Sequence, residues 1–256
     1  MAKRNFSVAI PNNPDRLIVL AGLILQKHQQ DGDNSKIPHA LTAPLEAQLG
    51  VARTENARRN ELDRQKEKCN EDRNLILGLH PTQNTYTEGT VRYFVTGVRD
   101  LLLGLYRGNE RRLGDWGFIV NSPKGSVQVL IPTKADQLIT LAKLIQQKHV
   151  QDGSDSPLHN LDWNTLSMRL AGAEQRYEEG SKLSREKENA TQVRNLALGT
   201  DRSQNSKTTG TVKYLVRAVR DVLLGIYRGK EQELGNWGFE VNRSTSGEAV
   251  ENEAEG

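Results

Sequence analysis

Two histidines sit where chemistry could start. His28 and His149 occupy matching segments, Gln-Lys-His-x-Gln-Asp-Gly, each with an aspartate three residues on, Asp31 and Asp152. On a helix that spacing puts imidazole and carboxylate on one face, a first step toward a metal site. No third ligand follows at a recognisable distance. The plainer reading is a helix C-terminus, where a cation suits the dipole and Asp-Gly makes the stop. His39, His80 and His159 have no histidine counterpart 121 residues away.

Cys69 is the single cysteine and Ala190 stands at its matching position. A thiolate nucleophile needs a basic partner, and none is identifiable, so the position reads as a small buried filler. One cysteine excludes an intramolecular disulfide and suits a reducing compartment. Arg99-Asp100 and Arg220-Asp221 interrupt an apolar run, as an acid/base pair would. At helical rise Lys66 lies about 18 Å before Gly78 and Asp100 about 15 Å after Thr90, so the two could meet across antiparallel helices; Lys187 and Asp221 repeat the spacing. A structural ion pair fixing register is the expectation. No GxSxG, HExxH, P-loop or GxGxxG signature is present. The sequence points to a protein that is not an enzyme and holds no cofactor and no metal.

The stretch that organises the chain is 89–121, GTVRYFVTGVRDLLLGLYRGNERRLGDWGFIVN, written again as 210–242, GTVKYLVRAVRDVLLGIYRGKEQELGNWGFEVN. In the first copy Val91, Val95, Val98, Leu102 and Leu105 recur at helical steps, and Phe94, Leu101 and Leu103 broaden that face. So wide an apolar surface predicts a central helix covered from more than one side. The offset of 121 extends back to Ile10-Pro11 on Ile131-Pro132 with no net insertion, the signature of tandem duplication.

The fold expected is mainly α: two tandem copies of a three-helix unit (short helix, long helix, apolar central helix), with short β-strands at the junction and both ends. The domains expected are 1–121, 122–242 and a disordered acidic tail, 243–256. Each copy opens with an alternating strand, Phe6 to Ile10 or Val127 to Ile131. Asp15 and Asp136 sit at a helix start, and Gly32 and Gly153 at its end. A long helix follows, about Ala43 to Leu77 and Asn164 to Leu198. Its seam is apolar at the ends and polar in the middle, which predicts a weak central contact or a partly exposed rod. The central helix should stop at Gly108 and Gly229. Trp116 and Trp237, flanked by glycines, then fold onto the bundle end. Phe118 to Val120 and Val127 to Ile131 read as a hairpin joining the copies.

Two strands then lack sequence-adjacent partners, Phe6 to Ile10 and Gly238 to Val241. They pair within the molecule, or the end of one chain pairs with the start of the next and builds an open filament. The residues expected to carry interaction are Phe6, Val8, Ile10, Trp116, Phe118, Val127, Val129, Ile131, Trp237, Phe239 and Val241.

Composition sets the outer bounds. The chain has 256 residues, 26% of them charged, and a net charge of +3. The tail from Arg243 carries one Arg against four Glu, so the rest is near +6. That mild basicity makes nucleic acid the alternative partner, but the second helix mixes Lys and Arg with Glu and Asp almost evenly, the pattern of a solvated helix. No segment resembles a secretory signal or membrane span, so a cytoplasmic protein without membrane contact is expected, most simply a homo-oligomer or filament.

Overall fold

Asn13 starts the first helix: its side-chain oxygen accepts the backbone N–H groups of Asp15 and Arg16, and Pro14 occupies the first turn, where its missing donor is harmless. Helix α1 (Pro14–Asp31) ends at Gly32, whose φ of 50° suits a residue without Cβ. The computed structural model describes residues 6–121, 128–204 and 208–243, except the side chains of Phe6 and Arg243. The other elements are β1 (Phe6–Ala9), α2 (His39–Leu77), α3 (Val91–Leu105), β2 (Ile119–Asn121), β3 (Gln128–Leu130), α4 (Ala135–Asp152), α5 (Trp163–Leu198), α6 (Val212–Ile226) and β4 (Glu240–Arg243). The protein is mainly helical with short strands at the ends and in the middle. The tail beyond residue 243 lies outside the described residues.

The chain forms two compact units, and their boundaries fall inside α2 and α5 rather than at residue 121. The mid-chain unit is the continuous segment Leu62–Arg185. Its core joins α3, Trp116 and Phe118 to the apolar faces of α4 and the start of α5. The hairpin expected to join two domains lies inside this unit: β2 and β3 pair antiparallel, Ile119 with Leu130, Val120 with Val129, Asn121 with Gln128. Its turn lies outside the described residues.

The chain-end unit combines Met1–Glu61 with Glu186–Gly256. Its core sets Leu17, Leu20, Ile24, Leu45 and Leu49 from the first segment against Val216, Val219, Leu223, Trp237 and Phe239 from the second. Strands β1 and β4 pair antiparallel, Ser7 with Asn242, Val8 with Val241, Ala9 with Glu240. Of the two arrangements open to the terminal strands, the structure has the intramolecular one. Both partners shift by 121 residues from β2 and β3, so the two ladders have one register.

Helix α2 starts four residues earlier than the sequence predicts, at His39, and α5 one residue earlier, at Trp163. Within the mid-chain unit α2 and α5 run antiparallel, with Cys69 beside Gly180 and Ile76 beside Gly172. Polar positions fill the middle of the seam, where Arg73 stacks on Tyr177 at 5.5 Å and Arg176 faces Asp72 at 3.7 Å. The expected face of α3 is buried except at its end. Leu105 is 55% exposed and Ile226 of α6 47%, because both helices finish there and the chain unwinds through Tyr106 and Tyr227.

Candidate functional site

The residues singled out for interaction gather at one corner of each unit, where a short 3-10 helix delivers the tryptophan. In the chain-end unit the 3-10 segment is Glu231–Trp237; in the mid-chain unit it is Glu110–Trp116. Each begins after a turn glycine whose N–H is received by a glutamate two residues on: Gly229 by Glu231 and Gly108 by Glu110, both at 2.9 Å. That bond holds both carboxyls below the ordinary glutamate range. Each segment ends at a glycine with φ of 87°, Gly238 or Gly117. A Cβ on Gly238 would lie 2.8 Å from Leu23, and one on Gly117 2.9 Å from Leu144. Glycine here serves both the left-handed turn and the close approach to the neighbouring helix.

The indoles are buried, Trp116 at 2% exposure and Trp237 at 1%, and Phe118 and Phe239 lie beside them in the two cores. Val8, Ile10 and Val241 are half-buried against the chain-end core; Val129 and Ile131 pack likewise on the mid-chain core. Phe6 belongs to β1, and Val127 lies outside the described residues. The structure thus brings these residues together as paired strands and core, not as a free apolar surface. The apolar side chains that the hairpin leaves exposed are Ile119 and Leu130.

The two segments of the chain-end unit, linked along the chain only through Leu62–Arg185, are held to each other by noncovalent contacts. Arg194, buried in α5, donates from Nη1 to Asn56 Oδ1 at 2.7 Å and faces Asp15 at 3.6 Å. Burial lowers its pKa, the nearby Arg59 lowers it further, and Asp15 opposes both. Lys213 donates to Asn12 at 2.9 Å, and Arg220 reaches the Val8 carbonyl at 3.4 Å. These polar ties were not legible in the sequence, because each pairs residues more than 130 positions apart.

The other candidate groups have ordinary partners. His28 shares hydrogen bonds through Nδ1 with Ser35 at 2.5 Å and through Nε2 with Thr42 at 3.3 Å. His149 meets Ser156 at 2.6 Å and stacks on Trp163 with ring centroids 4.1 Å apart. Asp31 and Asp152 take Lys27 and Lys148 instead, each at 2.6 Å. Among the described residues no group of three His, Cys, Asp or Glu side chains could hold a metal ion. Cys69 is buried, its thiol 3.9 Å from Glu179. Asp100 pairs with its neighbour Arg99 at 2.7 Å in place of the expected Lys66, and Asp221 pairs with its neighbour Arg220 at 2.8 Å. The reason is packing: the antiparallel partner of the second half of α2 is α5, not α3. No helix among the described residues is long and apolar enough to cross a membrane.

Set against models of protein families, curated proteins and solved structures, the chain finds no match.

Proposed function

We propose that this is a non-enzymatic structural or interaction protein, built by tandem duplication, that associates with further copies of itself by exchanging the two segments of its chain-end unit. The observation that supports this reading is the β1 and β4 ladder, which keeps the register of β2 and β3 although no turn connects its strands. Packing and polar ties alone set that register. The same contacts are therefore available between the C-terminal segment of one copy and the N-terminal segment of another. Exchange of identical elements is a low-cost route to association, and an exchange that does not close builds an open head-to-tail chain. Tethering within one chain favours closure at low protein concentration, and crowding of copies favours exchange. A cytoplasmic setting, reducing and free of membrane, belongs to the same proposal.

The test is refolding of the full chain from denaturant at low and high concentration, followed by light scattering on a sizing column. Oligomers from the concentrated sample that retain full helical circular dichroism are expected. A chain cyclised head to tail has no ends to exchange and should stay monomeric under the same conditions. Monomer alone at every concentration would remove the proposal.

A second reading, nucleic-acid binding, draws on the mildly basic body of the chain, which carries a net charge near +6 without the acidic tail. Its check is affinity for unrelated duplexes at low salt, where phosphate contacts are strongest.

A further inference from the structure

We propose that the mid-chain unit binds a small carboxylate with an apolar body, in the cavity beside the first turn of α3. The cavity holds about 230 Å³, and its walls include Val91, Tyr93, Phe94, Leu161 and Leu166. An engineered apolar cavity of about 150 Å³ accepts benzene, so this one suits a ring or short chain with one polar head. Two charged side chains reach the lining, Asp162 and Arg169. Asp162 is already engaged: Oδ1 accepts the Thr165 N–H at 3.0 Å and Oδ2 the Thr165 hydroxyl at 2.6 Å. These bonds hold its carboxyl below the ordinary aspartate range.

Arg169 is different. It is exposed and has no carboxylate partner among the described residues. Its Nη2 lies 3.5 Å from where a Cβ on Gly89 would stand, so the guanidinium rests at the edge of the cavity over a residue with no side chain. A fork of unpaired donors beside an apolar cavity suits a carboxylate.

The chain-end unit supplies an internal control. At the matching positions Gly210, Thr211, Val212 and Tyr214 repeat Gly89, Thr90, Val91 and Tyr93. Arg169, however, becomes Gln48, Asp162 becomes Leu41 and Thr165 becomes Pro44. The cation belongs to one unit only, so the binding should as well.

The experiment is a titration of the full chain with phenylacetate, followed by backbone amide spectra, with 2-phenylethanol as the neutral probe. Phenylacetate should shift the signals of residues 89–94 and 161–169 with saturation, and leave 40–48 and 210–215 in place. Arg169→Gln, an exposed position, should keep the unliganded spectrum and weaken phenylacetate by about tenfold or more, the usual loss for a charge-assisted hydrogen bond. The proposal falls if ten-millimolar phenylacetate moves nothing, if the alcohol binds as well, if the matching positions respond equally, or if Arg169→Gln binds unchanged.

Discussion

The mid-chain unit and the chain-end unit carry the same elements at a shift of 121 residues, but the chain runs through them differently. In the first, β2 leads to β3 along the chain; in the second, the two members of the strand pair at the same place, β1 and β4, come from different segments. The chain-end unit presents elements of the same kinds in a different order along the chain. The direct connection between β2 and β3 therefore does not set the strand register, since β1 and β4 keep it without one. Flanking elements do: the 3-10 helix with its tryptophan on one side and α1 or α4 on the other.

The strongest way to break the equivalence is to empty one of its anchors. Trp116→Ala and Trp237→Ala should each destabilise their unit by about 3–5 kcal/mol, the usual loss for a large buried aromatic, read by chemical denaturation. Trp237→Ala should also free the ends, exposing both terminal segments to protease, whereas Trp116→Ala should leave the continuous mid-chain segment tethered. Next in size is the glycine turn. Gly117→Ala and Gly238→Ala place a Cβ in left-handed backbone and against a leucine, and each should cost about 2 kcal/mol in the same assay. Unequal losses would show that the two corners are not the same structure.

Moving the chain break should have a smaller effect. A permutant that starts at residue 128 and joins 243 to 6 through a short linker exchanges the roles of the two units. It should fold with an unchanged helical spectrum and a stability within about 2 kcal/mol of the original, since only loop closure differs. A permutant that does not fold would show that the direct connection between β2 and β3 is required. The smallest effect is shared by both units. Because the folded-state pKa values of Glu110 and Glu231 are depressed, each carboxylate adds stability above its unfolded value, about 4.3, and loses that contribution as pH falls through the folded value. Both glutamates should titrate below the ordinary range in carbon-detected spectra, and Glu110→Gln should abolish the effect in one unit only.

The local parts of this fold are legible in the sequence, and the pairing of distant parts is not. Gly32 and Gly153 end their helices where the sequence places the stops, and Val95 and Val98 face the core as their spacing requires. Which copy of α3 packs on which copy of α1 is invisible, because matching positions are nearly alike. Leu17 or Leu138 would fill the same site, and so would Val95 or Val216. The 3-10 helices escape for another reason: seven residues containing two buried side chains show no helical period. The acid two residues after Gly108 and Gly229, present in both copies, is the signal that could have located them. At the candidate interaction residues the strands were legible and their partners were not, since an alternating apolar strand reads the same whether its partner lies within the chain or beyond it.

The placement of the unit boundary inside the long helices has a consequence for synthesis. The first segment of the chain-end unit leaves the ribosome with Leu17, Leu20, Ile24, Leu45 and Leu49 uncovered, and the segment that buries them follows only after the whole of Leu62–Arg185. At ~5–20 residues per second that interval is on the order of ten seconds. By its end the mid-chain unit has all of its parts, while the older N-terminal face is still without the segment from Glu186 onward that buries it.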